Sequence, residues 1–224
     1  MAKRTAAATK TRLSPDVIVA SAVSLADAEG LEAVTVRRLA QEHGVTPMAM
    51  YWHFNDKDAL LDGIAEYLVA TVQLPEPTDQ PWDVQLRDIL EAFLAAIRPH
   101  PNVAALALKR ILASEPGLAL AERALGLLRD AGFTPGQSAE IGTFVLCAVI
   151  TLVTNEPGPH SPIEGEAKAE VIRHKRAALE ALSPARYPNV LASAPFLVAC
   201  SDQDNYFAVN LDLLVQGVRG IRPA

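Results

Sequence analysis

The sequence predicts an all-α protein, in which a short N-terminal helix-turn-helix unit precedes a larger helical domain. Three observations predict it. Apolar residues recur at helical spacing along most of the chain, and no alternating apolar run bounded by turn residues marks a strand. Helix starts and stops are written out, as in Ser14-Pro15-Asp16 against Gly30. Residues 35 to 57, TVRRLAQEHGVTPMAMYWHFNDK, hold two short helix patterns joined by a tight turn.

The first helix opens at Ser14, takes Pro15 at its first position and Asp16 near the positive end of its dipole, and runs to Glu29. Ile18, Ala22 and Leu25 form its inner stripe. Thr35 is placed to cap a second helix carrying Leu39 and Ala40, which ends at Gly44 because a left-handed residue there is cheapest as glycine. Val45 is a small apolar plug. Thr46 caps a third helix with Pro47 at its first position. An ordinary helical hairpin has the same outline. The consecutive Tyr51, Trp52 and His53 favour a helix that reads DNA, since they point in three directions around it. Asn55 is expected to cap a fourth helix, reaching about residue 74, with Leu61, Ile64 and Leu68 on one face. The proline-rich stretch 75–81 divides residues 14–74 from 82–224. Beyond it, helices are expected over 82–98, 101–113, 117–131, 135–155, 164–182, 188–199 and 202–219, with 156–165 as a mobile loop.

The chain has 224 residues, half of them hydrophobic, which suffices for one large or two modest helical domains. Cys147 and Cys200 lie in apolar runs and read as buried thiols in a reducing cytoplasm; no Cys/His spacing suggests a metal site. The N-terminus is basic, with Lys3, Arg4, Lys10 and Arg12 in a tail over 1–13, and has no apolar core of a secretory signal. The longest apolar run, 141–154, suits a buried helix rather than a membrane span. The net charge of −6 resides in residues 61–224, with 13 Lys+Arg against 19 Asp+Glu. Residues 1–60 are balanced, so the acidity does not oppose local cations meeting phosphates. No nucleophile motif, glycine-rich phosphate loop or catalytic carboxylate pair is recognisable, so no enzyme, metal or cofactor is expected.

Residues 14 to about 68 resemble the N-terminal domain of the tetracycline repressor (TetR) family. The resemblance rests on Thr35, Arg37, Leu39, Ala40, Gly44 and Val45, on Tyr51-Trp52-His53-Phe54, and on Lys57 and Ala59-Leu60-Leu61-Asp62. A weaker resemblance to the family's C-terminal domain runs through Pro81-Trp82, Phe93, Gly132-Phe133 and Asn210–Gly217. It implies a DNA-binding domain followed by a ligand-binding and dimerisation domain, with double-stranded operator DNA, a small-molecule effector and a second copy of the chain as partners. It implies phosphate contacts at Thr35, Tyr51, His53 and Lys57, the last aided by helix N–H groups. Trp52 is expected to be partly structural with its N–H outward, and Phe54 to be core. Base reading falls to Arg37, Thr46, Met48 and Ala49, because arginine suits guanine and the apolar pair suits thymine methyls.

Two apolar stripes on 135–155, and one on 202–219, suggest burial on two sides. Ile141, Val145, Ala148 and Leu152, with Phe207, Leu211, Leu214 and Val218, are expected at a dimer interface; filling of one chain's own core is the alternative. Ile89, Ala107 and Ala124 fall where the tetracycline repressor has polar or metal-binding side chains, which argues against a magnesium-chelated tetracycline. The effector site is therefore expected to be mainly apolar, lined by Ile89, Phe93, Ala107, Phe144, Cys147 and Thr151, with Gln73 where the fourth helix adjoins it. His100, between two prolines, reads as a loop histidine. A helix-turn-helix protein with no effector is the remaining alternative.

Overall fold

The computed structural model describes residues 13–156, 165–198 and 202–223; the expected basic tail (except Leu13), His160, Cys200 and most of the expected loop at 156–165 lie outside them. Among the described residues the chain forms ten α-helices and no strand. They are α1 Pro15–Glu29, α2 Val36–Glu42, α3 Pro47–Tyr51, α4 Lys57–Ala70, α5 Trp82–Ile97, α6 Glu115–Asp130, α7 Pro135–Thr154, α8 Gly165–Glu180, α9 Pro188–Val198 and α10 Gln203–Arg219.

Helix starts follow local chemistry. Ser14, Thr35, Thr46, Asp56, Ser114, Thr134 and Asp202 each accept a backbone N–H three residues on. A cap of this kind contributes about 1 kcal/mol, so these starts are specified to the residue. The cap of α4 is Asp56 rather than Asn55, with Asp56 Oδ1 accepting from the Ala59 N–H at 2.7 Å. Gly44 closes the turn between α2 and α3 at φ +63°. No atom would meet a Cβ there, so glycine is needed for the dihedral and not for space.

α1 and α4 hold the N-terminal core. Ile18, Ala22 and Leu25 of α1 are buried, as expected. On α4 the inner row is Leu60, Ile64 and Leu68, with Leu61 only half-buried. Ile64 and Leu68 are buried as expected, and Leu60, four residues before Ile64, takes the place expected for Leu61. α4 ends at Ala70, and residues 72–78 have no regular structure. α4 packs against α1 on one side and against α5, α6 and the segment Ala104–Lys109 on the other.

That segment is a run of 3₁₀ turns and not the expected α-helix over 101–113. Leu106, Arg110 and Ala113 each donate their N–H to the carbonyl three residues back. Apolar spacing cannot separate the two pitches over so short a span. The C-terminal body is built on α5, α6, α7 and α10. Three ion pairs lace α5 to α10: Arg87–Asp212 at 2.9 Å, Arg98–Asp204 at 2.8 Å and Arg219–Asp83 at 3.2 Å. Partly exposed pairs of this kind contribute little individually. The buried row Phe207, Leu211, Val215 and Val218 supplies more of the joint. α8 and α9 pack chiefly on each other.

Candidate DNA interface and effector cavity

α3 faces outward. Met48 is 68% exposed, Tyr51 45% and Trp52 85%, while Met50 between them is buried. A tryptophan so exposed packs on nothing, which corrects its expected structural share and leaves a large apolar and hydrogen-bonding surface without a partner. Ala49 and His53 are half-buried, and Phe54 packs against the core.

The two adjacent arginines of α2 differ. Arg38 reaches Glu29 at 2.7 Å and Glu42 at 3.2 Å, tying α2 to the end of α1. Arg37 is exposed and makes no ion pair among the described residues. Its guanidinium fork is thus available for a planar acceptor pair. Thr35 Oγ1 accepts from the Arg38 N–H at 3.1 Å, and Thr46 Oγ1 from the Ala49 N–H at 3.3 Å. Each hydroxyl keeps its own proton to donate outward. Lys57 is exposed at the first position of α4. Of the helix N–H groups there, that of Ala59 is taken by Asp56 Oδ1, and the Asp56 carboxylate sits beside Lys57.

A cavity of about 270 Å³ lies between α5, α6, α7 and the turn 108–112. Ile89 and Phe93 of α5, Ala121 and Ala124 of α6, and Gly142 and Val145 of α7 line it, with Ile111 and Leu112. Thr143 is its one polar side chain. The volume lies just below the usual range of small-molecule sites, about 300–1,000 Å³. Leu108 and Leu112, 44% and 73% exposed, belong to the same lining.

The expected lining is divided by the structure. Ala107 is fully buried in the 3₁₀ segment and does not reach the cavity. Gln73 is exposed beside a separate shallow hollow with Thr71 and His100. Phe144, Cys147 and Thr151 lie in a different groove, between α7 and α10, with Ile141, Ala148, Leu152, Leu214 and Val218. Phe144 is 64% exposed and Leu213 65%. Cys147 is half-buried in this groove rather than in a core. Conversely, Val145, Phe207, Leu211 and Val218, expected at an interface, are 2–3% exposed and pack within their own chain, Val218 forming only the floor of the groove. At 100° per residue, Phe144 and Val145 cannot share a side of α7. Ala124, singled out with Ile89 by the resemblance, does line the cavity; missed by sequence reasoning were the turn 108–112 and Ala121, Gly142 and Thr143. Only the small size of Ala121 and Gly142 among larger apolar residues signalled a hollow, and nothing in the sequence marked the turn.

His100 Nδ1 lies 2.7 Å from Asp27 Oδ2 of α1, and Asn102 Nδ2 donates to the Ala26 carbonyl at 2.8 Å. His100 is therefore a joint between the two parts of the chain, not a free loop residue.

Residues 18–64 match the family described as bacterial regulatory proteins, tetR family, and residues 74–221 match the tetracyclin repressor-like C-terminal domain. An HTH-type transcriptional regulator of Saccharopolyspora erythraea is 32% identical over 191 residues, covering 84% of this chain and 77% of that protein. The tetracycline repressor protein class C of Escherichia coli is 28% identical over 214 residues, covering 94% and 93%. The crystal structure of the Streptomyces coelicolor TetR family protein ActR in complex with actinorhodin superposes with a TM-score of 0.71 at 27% identity, covering 93% of this chain and 96% of that one. With an outward-facing helix-turn-helix, a helical C-terminal body and both family domains matched along its length, the chain belongs to the tetR family of bacterial transcriptional regulators.

Proposed function

We propose that this regulator is a cytoplasmic repressor that binds a pseudo-palindromic operator as a homodimer and releases it when a mainly apolar molecule enters the cavity between α5, α6 and α7. It acts by binding and carries out no catalysis of its own. The observation that carries this reading is the pairing, in one chain, of an unpartnered recognition surface with an apolar hollow. α4 bears Lys57 at one end and packs against the 3₁₀ segment whose continuation lines the hollow.

On the DNA side, Arg37, Thr46, Met48 and Ala49 read bases, and Thr35, Tyr51, Trp52, His53 and Lys57 hold the backbone. Exposure and free donors support these roles. Dimerisation uses the open groove of α7 and α10, where Ala148, Leu152 and Leu214 are joined by Phe144, Cys147, Thr151 and Leu213, over a floor of buried Ile141 and Val218. A stable interface of this kind buries about 1,200 Å² or more. Residues 14–70 and 82–223 then divide the work of reading and sensing. The effector class follows from the lining. One hydroxyl, that of Thr143, among apolar walls suits a compact hydrophobic molecule with a single hydrogen-bonding group.

An effector can act only through unequal affinity for the two spacings of the recognition helices, and operator must weaken effector binding by the same factor. The experiment is selection of bound fragments from genomic DNA followed by footprinting. The expected result is a two-fold symmetric site protected in two half-sites about one helical turn apart. Protection of a single unsymmetrical stretch would overturn the dimeric reading, and no enrichment of any sequence would overturn the DNA assignment.

A further inference from the structure

The turn between the cavity and α4 has a construction of its own. Ile111 and Leu112 line the cavity, and Arg110 beside them points the other way, onto α4. Arg110 Nη2 lies 3.4 Å from Glu66 Oε2, and Nη1 lies 4.0 Å from Asp62 Oδ2. Asp62 and Glu66 are one turn apart on α4, so the guanidinium spans a full turn of that helix. The acids are about half exposed while Arg110 is only 27% exposed.

The backbone that carries Arg110 has little freedom. Its carbonyl accepts from Ser114 Oγ at 2.8 Å, and the same Oγ accepts from the Gly117 N–H at 3.3 Å to cap α6. A Cβ at Gly117 would come within 2.4 Å of the Ile111 carbonyl oxygen and 2.7 Å of the Arg110 one. Only glycine lets α6 press so closely on this turn. Displacement of Ile111 or of the first turn of α6 must therefore move Arg110. The opposite end of the segment is held separately, by His100 on Asp27 and Asn102 on the Ala26 carbonyl of α1. Nothing from 100–107 lines the cavity, so an occupant bears on the Arg110 end.

We infer that Arg110 is the positioning residue through which cavity occupancy shifts α4, by its two-acid grip on Asp62 and Glu66, while the His100–Asn102 end serves as the pivot. This rests on the cavity being the effector site. It adds the residue that carries the signal, together with the prediction that sensing and DNA reading can be uncoupled with both left intact.

The test uses the full-length dimer, the operator duplex recovered by genomic selection, and the uncharged apolar fluorophore N-phenyl-1-naphthylamine as cavity probe. Probe affinity is measured with and without operator. For the parent, operator is expected to weaken probe binding about tenfold, within the usual range of coupling. Arg110→Gln is expected to bind probe and operator separately as the parent does, with the operator's effect on the probe nearly gone. The pair Asp62→Asn with Glu66→Gln, on the exposed side of α4, is expected to do the same, and stands in should Arg110→Gln fail to fold. The swap Arg110→Glu with Glu66→Arg is expected to restore coupling. If the neutral variants keep the parent's tenfold effect, or the swap stays uncoupled, Arg110 has no such role. If the parent itself shows no operator effect, the effector reading of the cavity fails first and this proposal falls with it.

Discussion

α7 is apolar on two sides, and the two sides end in different surroundings. Inward, Gly142, Val145 and Leu146 meet α5 and α6 around a hollow of about 270 Å³. Outward, Phe144, Cys147, Ala148 and Thr151 join Leu213 and Leu214 of α10 along an open groove. Val145 is 2% exposed and its neighbour Phe144 64%. The helix has the length and apolarity of a membrane span, with a mean hydropathy of 1.6, yet it is packed by four other elements of its own chain. Uniform hydrophobicity thus covers two different surfaces, and in the function proposed above one side encloses the effector and the other meets a second chain.

The largest expected effect breaks the outward side. Leu213→Asp places a charge in the groove at a residue that its own chain does not bury. The fold should persist, the dimer should part in sedimentation, and operator affinity should fall by about 10²–10⁴, the loss that follows when two half-site contacts are unlinked. Leu211→Asp, two residues away and 2% exposed, should instead abolish folding, visible as lost helical circular dichroism. Dimeric Leu213→Asp protein would place the interface elsewhere.

Next in size is the reading surface. Arg37→Ala should cost about 1–3 kcal/mol on operator DNA and relax preference at one base position, measured by competition among operator variants. Arg38→Ala, whose partners are Glu29 and Glu42, should leave base preference unchanged and lower only stability. Equal effects of the two on base preference would remove the distinction between them.

How much of this was legible in the sequence follows the reach of the signals. The helix-turn-helix was readable almost residue by residue, because its determinants are local: Thr35 and Thr46 cap their own helices and Gly44 its own turn. Even there, Asn55 and Asp56 offered adjacent capping side chains, and Asp56 rather than Asn55 caps α4. The C-terminal helices were readable as helices but not as oriented ones. On α7 nearly every side chain is apolar, so no polar face fixes its rotation: Ile141, Ala148 and Leu152 came out along the groove as assigned, but Phe144, Cys147 and Thr151, assigned to the ligand, lie there with them, and Val145, assigned to the interface, lies at the cavity. The cavity depends on α5, α6, α7 and the turn 108–112 meeting at once. The 3₁₀ pitch of Ala104–Lys109, set by packing on α4 and α7, leaves no distinct periodicity over six residues.

Smaller effects sharpen the inward side and the phosphate contact. Ala124→Phe, in the cavity wall, should fill the hollow and abolish binding of N-phenyl-1-naphthylamine, with about 1–3 kcal/mol lost in denaturant titration if the added ring is strained. Lys57→Gln should weaken all duplexes alike and reduce the slope of log affinity against log salt by about 1. A change in base preference from Lys57→Gln would mean that it reads sequence.

The two-sided assignment of α7 is tested most directly by measuring sedimentation and fluorophore binding together on Ala124→Phe and Leu213→Asp. The expected result is a crossed pattern: Ala124→Phe remains a dimer and binds no fluorophore, while Leu213→Asp is a folded monomer. A dimeric Leu213→Asp protein, or an Ala124→Phe protein that binds the fluorophore as the parent does, would contradict it.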